Sequence, residues 1–442
     1  MTDAIAGFRS SGVEVLAAIL AGGREKLPAG GPVTYGPFEL RTGDDPRAVL
    51  DQAVVEYGPD AVVDLSDEPI LDYRLRHQLA SIALYRGVSY QGPDFRFDPP
   101  VRPPLCSHPS IAIIGTGKRT GKTAVAAATA RHLAASGFKP VIVAMGRGGP
   151  PEPEVLRGDE IMLSPHDLVA IAEEGRHAAS DYVEDAFLAR VPTVGCRRCG
   201  GGLAGGVQTS NVASGIAVAN ELPGDLLLLE GSGAAVPPAH ADVTGLVVPA
   251  AISEEYLEGY FGLYRMLLAD FVVVTMCEYP FGSSSQVSAT TSRIRDAWRP
   301  GRSGGRKGQE VRVVRTVFRP TPTRSVDGAS AYVATTAPRA AGESIRRHLE
   351  DEHGCRVVGI SHSLSDRGRL EEELEALISG VDVLICEIKA AGIDVATRRA
   401  LDAGIEVTYM DNVPVGIDGD DVAEVFEHAA GLAAARFDGT RK

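Results

Sequence analysis

Three observations predict an α/β chain built on a doubly wound parallel sheet. Short apolar runs, the first of them β-branched, recur at residues 110–114, 140–144, 225–229, 243–248, 271–275 and 311–317. Stretches of helical length and composition lie between such runs, as in the alanine-rich residues 124–136. The runs are continuously apolar rather than alternating, which is the pattern of strands buried on both faces beneath covering helices. At 442 residues the chain has room for about three domains and a sizeable core.

Taken in order, residues 1–108 read as a small N-terminal α/β domain. It has an apolar helix-like stretch at 13–21, a strand at 61–65, a helix at 74–85 and short extended segments at 87–90 and 95–97. The proline-rich run 99–104 lacks backbone donors and has fixed φ, so it reads as a linker. Residues 109–325 hold the runs named above and read as the central domain. Within them the Arg/Gly/Ser-rich segment 297–308 reads as a surface loop. Residues 326–442 alternate strands at 331–335, 356–360, 381–386 and 405–409 with helices at 342–349, 369–379 and 395–403, and close on a helix at 420–435. This alternation predicts parallel α/β again, either continuing the central sheet or, the reading taken here, forming a separate C-terminal domain.

Composition narrows the function. The chain has 44 basic and 58 acidic residues, a formal charge of -14, which argues against general binding of nucleic acid or an anionic membrane. A small anion stays compatible, because a local cluster of arginines, backbone N–H groups and a metal overrides net charge. Of the basic residues only seven are lysine, a bias that genome composition explains as well as function does. The N-terminus shows no basic region followed by an apolar run, and the longest apolar stretches are too short to span a bilayer. Six scattered cysteines predict a reduced, cytoplasmic protein without a disulfide framework. A homodimer is compatible with the sequence, which names no interface.

The sharpest local signal is Gly115-Thr116-Gly117-Lys118-Arg119-Thr120-Gly121-Lys122-Thr123, between an apolar run and a helical stretch. That is the context of a phosphate-binding loop, so the central domain is expected to be a P-loop NTPase sheet. The glycines turn backbone N–H groups inward around phosphate oxygens, and the helix N-terminus adds positive charge. Lys122 is placed to bridge the β- and γ-phosphates and the Thr123 hydroxyl to ligate Mg²⁺, with Lys118 and Arg119 in reach of the γ-phosphate. Thr116 stands where the usual pattern has glycine. No N-K-x-D sequence follows residues 271–275, so ATP is favoured over GTP.

Two further regions carry charge at strand ends. Glu230 follows the run Leu226-Leu227-Leu228-Leu229 and precedes Gly231-Ser232-Gly233, at the edge where open α/β sheets bind ligands. It reads as an acid at that ligand-binding edge or as a solvated strand-end acid. Arg147 lies in Met145-Gly146-Arg147-Gly148-Gly149, so its guanidinium and the N–H of Gly148 can approach a phosphate. Arg197, Arg198 and Gly200, in Gly195-Cys196-Arg197-Arg198-Cys199-Gly200, read as an anion-binding loop, and His177 as a nearby polar contact. Gln208, Ser210 and Asn211 could extend that surface, while Asp159 and Glu160 are secondary Mg²⁺ candidates. The single Cys196/Cys199 pair falls short of the four ligands of a structural zinc site.

These motifs in this order resemble the cyclic 2,3-diphosphoglycerate synthetase family, itself similar at the phosphate loop and the Glu-Gly-x-Gly strand to dethiobiotin synthetase-like enzymes. Val317-Phe318-Arg319-Pro320 and Val333-Ala334-Thr335-Thr336-Ala337 also fit. The resemblance spans nearly the whole chain. It implies a P-loop ATPase domain with flanking N- and C-terminal α/β domains, ATP and Mg²⁺ as cofactors, and ring closure of 2,3-diphosphoglycerate with release of ADP and phosphate. Lys118, Arg119, Lys122 and Arg147 are the catalytic candidates. Gly115, Thr116, Gly117, Thr120, Gly121, Lys122 and Thr123 would bind nucleotide. Arg147, Gly148, His177, Arg197, Arg198 and Gly200 would bind substrate, and Thr123 and Glu230 the metal. The alternatives are another P-loop small-molecule kinase or ligase, or a nucleotide-switch protein.

Overall fold

The structure, a computed structural model, describes residues 2–22, 34–35, 38–297, 311–375 and 380–440. The expected loop at 297–308 and the end of the helix expected at 369–379 fall outside the described residues, save Ala297 and residues 369–375.

The N-terminal block contains α1 (Thr2–Ser10), β1 (Ala18–Ile19), β2 (Thr34–Tyr35), β3 (Phe38–Arg41), α2 (Pro46–Tyr57), β4 (Ala61–Val63), α3 (Tyr73–Tyr85), β5 (Ser89–Gln91) and β6 (Arg96–Phe97). The helix expected at 13–21 is absent. Gly12 turns left-handed at φ 81 and ends α1, after which the chain runs to β1, paired parallel with β3. Val13, Val15 and Ile19 are β-branched, and pairing suits them better than a helix does. The helix sits instead on the residues before them, with Asp3 in its first turn and Arg9 in its last, both favourable to its dipole. The segment 99–104 has no regular structure, as its prolines require.

The central block contains β7 (Ser110–Gly115), α4 (Lys122–Ala135), β8 (Pro140–Gly146), β9 (Glu154–Arg157), α5 (Pro165–Glu173), α6 (Asp181–Ala189), β10 (Pro192–Cys199), β11 (Thr209–Ser210), α7 (Val212–Glu221), β12 (Leu226–Glu230), β13 (Val243–Pro249), α8 (Glu254–Leu257), α9 (Gly262–Leu268), β14 (Phe271–Thr275), α10 (Ser284–Ala297) and β15 (Arg312–Pro322). Strands β10-β8-β12-β7-β13-β14 lie side by side and all parallel. Alternate residues feed two cores: Ile111, Ile113 and Leu228 enter one, Ala112, Ile114 and Leu229 the other. Both faces are therefore covered, and the carboxyl ends of the strands share one edge. The N-terminal block docks through α3, where Gln78 Nε2 donates to Glu258 O at 3.1 Å and the His77 ring meets Phe261 edge-on at 5.3 Å.

The third block contains β16 (Ser330–Ala334), α11 (Gly342–His353), β17 (Arg356–Ser361), α12 (Arg367–Glu375), β18 (Val383–Cys386), a π-helical turn (Gly392–Thr397), α13 (Arg398–Asp402), β19 (Glu406–Gly416) and α14 (Val422–Thr440). Its strands do not form a sheet of their own. The first half of β15 pairs parallel with β14, and its second half pairs antiparallel with β19. One sheet therefore runs on through β18, β16 and β17, thirteen strands with β9 included among the described residues. At 11 residues β15 is long enough, at about 3.3 Å per residue, to serve both neighbours in turn. Helix α14 returns to the central layer, where Arg436 reaches Asp270 at 2.9 Å and Asp242 O at 2.6 Å. Among the described residues no helix is long and apolar enough to cross a membrane.

Candidate functional site

The turn between β7 and α4 is held on both sides. Thr116 N donates to Val247 O on β13 at 3.3 Å, and Thr275 Oγ1 at the end of β14 donates to Thr120 O at 2.8 Å. Gly121 enters α4 at φ 84, and a Cβ there would lie 2.2 Å from the Phe318 ring, so only glycine fits. Thr116 has no positive φ, which is why threonine serves where the pattern expects glycine. Lys122 is buried at the first position of α4, while Lys118 and Arg119 are exposed.

Glu230 ends β12 beside Ile113 of β7, so the register puts its carboxyl next to the phosphate loop. It is fully buried, and neither oxygen has a hydrogen-bond partner among the described residues. Burial pushes its pKa up to about 7, although Lys122 pulls the other way and the Thr123 hydroxyl lies close. Asp185 on α6 is likewise fully buried with both oxygens unpartnered, and burial followed by the charge of Glu230 holds its carboxyl well above the usual range. Asp181, one turn earlier, faces the end of β8, since a Cβ on Gly146 would sit 3.3 Å from its Oδ2. The sequence reading gave neither aspartate a role. The available signal was Asp185 set among Tyr182, Val183, Ala186 and Leu188 on a helix face that is otherwise core.

The arginine-rich segment is a strand, not the expected loop. Strand β10 continues through Cys199, and its register sets Arg197 opposite Gly146, immediately before Arg147. Gly195 and two arginines hid a strand whose first residues are buried. Arg197 Nε donates to Gly149 O at 2.6 Å, and Asn211 joins the group by accepting from Arg197 N at 2.6 Å and donating to Pro150 O and Pro151 O. His177 packs on Gly148. Arg198 points the other way into the protein, donating to Gly200 O and to the backbone and hydroxyl oxygens of Ser232. It therefore braces the strand end beyond Glu230, with Lys118 beside it over Gly233. Burial lowers the Arg198 pKa, and the nearby Arg147 lowers it further.

Behind these loops lies Arg265, 5% exposed, bonded to the carbonyls of Ala234, Leu203 and Phe261 and to no carboxylate among the described residues. Cys196 and Cys199, three apart on β10, face opposite sides of the strand, Cys196 buried and Cys199 exposed. Asp159 and Glu160 follow β9, which pairs with the amino half of β10, and both are bound to Arg157. They lie at the wrong end of the sheet for the role considered for them.

On the other side of the phosphate loop opens a cleft of about 780 Å³ between the central and third blocks. Residues 119–124 form one wall; Phe318, Ile345, His348, Glu387 and Lys389 line others. Glu278 and Arg319 pair across its rim through two contacts, and Lys389 Nζ lies 3.0 and 3.1 Å from the Glu184 oxygens. Nothing in the sequence reading anticipated Glu184 or Lys389. Lys118, Arg119, Lys122, Arg147 and Arg197 make no ion pair among the described residues, though most arginines elsewhere do. Among those residues no three His, Cys, Asp or Glu side chains gather closely enough to hold an ion unaided.

Comparison with known proteins agrees along most of the chain. Family models described as the N-terminal, P-loop and C-terminal domains of cyclic 2,3-diphosphoglycerate synthetase match residues 1–98, 110–299 and 322–413. The cyclic 2,3-diphosphoglycerate synthetase of Rubrobacter xylanophilus is 46% identical over 92% of this chain and 90% of its own. That of Methanothermobacter thermautotrophicus is 43% identical over 92% and 87%. Among solved structures, LpxK from Aquifex aeolicus covers 88% of this chain and 99% of its own at 11% identity, with a TM-score of 0.43.

Proposed function

Since this chain belongs to the cyclic 2,3-diphosphoglycerate synthetase family, whose reaction is the ATP-dependent ring closure of 2,3-diphosphoglycerate with release of ADP and phosphate, we propose that its two polyanions meet across the phosphate loop. ATP occupies the cleft on the Lys122 side, and 2,3-diphosphoglycerate lies on the Arg147, His177 and Arg197 side. The observation that carries this reading is the group of five cations at one sheet edge that make no ion pair among the described residues, in a chain with net charge -14. Most arginines elsewhere pair with acids, whereas these five side chains are left for anions.

The chemistry follows from the placement. An oxygen of one substrate phosphate attacks the γ-phosphorus of ATP, the bond to the β-phosphate oxygen breaks, and ADP leaves. An oxygen of the second substrate phosphate then attacks the activated phosphorus, closing the ring and expelling inorganic phosphate. Both steps bring like charges together, so positioning and charge stabilisation are what the chain must supply. Lys122 and the loop N–H groups hold the β- and γ-phosphates. Lys118 beside Gly233, with Arg147 next to Arg198, lies where the two anions adjoin. Arg197 fixes the far phosphate, held in place by Gly149 and Asn211. Thr123, Glu230 and Asp185 are oxygen donors, two of them buried and unpartnered, and fit Mg²⁺ with phosphate oxygens and water completing its shell. Bound there, Mg²⁺ would neutralise phosphate charge. We place the protein in the cytoplasm, in keeping with its six free cysteines.

Substrate-dependent ADP release, with the product followed by phosphorus NMR, tests the division of roles. Arg197→Ala is expected to raise the KM for 2,3-diphosphoglycerate about tenfold or more while the KM for ATP stays within about threefold. Equal changes in both constants, or none, would remove Arg197 from the substrate side.

A further inference from the structure

The third block needs a reason to face the nucleotide cleft. The chain leaves β16, β17 and β18 there through Thr335-Thr336, Leu364-Ser365 and Glu387, so a second row of strand carboxyl ends faces the cleft beside the phosphate loop. Glu387 accepts from the Thr335 and Thr336 hydroxyls and from Thr336 N, which rigidifies the turn after β18. Lys389 stands on that turn, its N–H bonded to Glu387 O at 2.9 Å. Its side chain lines the same cleft as Lys122 and Thr123 and reaches the central block, where Glu184 on α6 holds its ammonium through both carboxylate oxygens. Glu184 directly precedes Asp185, the orphaned acid beside Glu230, and Asp181 is within electrostatic range of Lys389, Glu230 and Arg198. The ammonium therefore stands at the border between the nucleotide cleft and the substrate side.

Residue choice points the same way. The chain uses arginine for all but seven of its 44 basic residues. The described lysines are Lys118, Lys122, Lys139 and Lys389, of which Lys122 and Lys389 line this cleft. Where arginine is the default, a lysine marks a position that takes a compact point charge rather than a planar fork.

We propose that Lys389 is a catalytic residue contributed by the third block, its ammonium contacting the transferring phosphoryl group from the wall opposite Lys122. The inference rests on the placement of ATP given above. In the free protein Glu184 keeps the ammonium charged and aimed; when the triphosphate binds, a γ-phosphate oxygen replaces one or both Glu184 contacts. No bond to Lys389 forms or breaks. It stabilises the charge on the γ-phosphoryl oxygens while ADP leaves and the substrate phosphate oxygen adds.

The test compares Lys389→Met, Lys389→Ala, Glu184→Gln and Lys122→Ala in the full-length protein, by 2,3-diphosphoglycerate-dependent ADP release and by thermal melting. Both Lys389 variants should lose about a hundredfold or more in kcat, with the KM for 2,3-diphosphoglycerate within about threefold. Glu184→Gln, which breaks the same ion pair but keeps the ammonium, should retain more than about a tenth of kcat. Thermal melting should show all of these variants cooperatively folded, so that a lost kcat is not a lost fold. Equal kcat losses in the Lys389 and Glu184 variants would reduce Lys389 to a structural tie and overturn the proposal, as would full activity of Lys389→Met. If Lys122→Ala is also fully active, the nucleotide placement itself falls; if Lys122→Ala is inactive while Lys389→Met is active, only the role of Lys389 falls.

Discussion

Replacing Arg265 by methionine probes how the anion side is held together. The guanidinium sits 3.1 and 2.7 Å from Ala234 O through Nε and Nη2, 3.2 Å from Leu203 O, and 3.0 Å from Phe261 O. Ala234 belongs to the turn after Glu230, and Leu203 to the glycine loop after Arg198, so one side chain clamps two loops of the site. Burial lowers its pKa to about 10, which still leaves it charged at neutral pH. A charge-assisted hydrogen bond contributes about 1.5–3 kcal/mol, and each orphaned buried acceptor costs about 1–3 kcal/mol. Methionine fills most of the volume and removes a buried charge whose desolvation was unfavourable, which offsets part of that. The net expected loss is about 2–4 kcal/mol. Thermal melting should therefore show a lower midpoint for Arg265→Met. The KM for 2,3-diphosphoglycerate should rise about tenfold, equivalent to about 1.4 kcal/mol, with the KM for ATP nearly unchanged. A variant that melts with the parent, or whose two KM values rise together, would refute the clamp.

Gly121→Ala should weaken nucleotide binding and destabilise the protein by more than about 1 kcal/mol, because φ 84 is strained for any side chain and the new Cβ would meet Phe318; a nucleotide titration and a melt check both. Glu230→Gln should raise the Mg²⁺ concentration needed for half-maximal turnover while the folded protein is retained, as read from Mg²⁺ titrations of ADP release. Asp420 is partly buried, which raises its pKa, but its bonds to Arg315 outweigh that and hold the carboxyl below the usual range. Its contribution to stability is thus full above ordinary carboxylate pKa values and lost as pH falls through the lowered folded value. The gap in melting temperature between the parent and Asp420→Asn should be widest near neutral pH and close below about pH 4; a gap constant with pH would contradict this.

Several features were legible because they are local. Continuous apolar runs predicted the central strands within a residue or two at 110–114, 140–144 and 271–275, and the helix at 124–136 began two residues earlier. The phosphate loop was readable for the same reason: one strand, one turn and one helix N-terminus contain it. Strand β10 was missed because Gly195, Arg197 and Arg198 obscure the apolar pattern, although its neighbour β8 buries that stretch. The residues 13–21 misled because apolar content fits a helix or a buried extended segment equally well, and the β-branched side chains with Gly12 decide for the latter.

What the sequence by itself determined is the set of elements whose hydrogen bonds close within a few residues, and with them the phosphate loop and the strand-end acid Glu230. Tertiary structure alone decided which distant groups meet. It fused the third block to the central sheet through the two halves of β15, brought Asp185 of α6 against Glu230 of β12, and set Lys389 over Glu184, 205 residues away in sequence. Register and packing across the sheet set those distances, and neither is encoded in any short window of the chain.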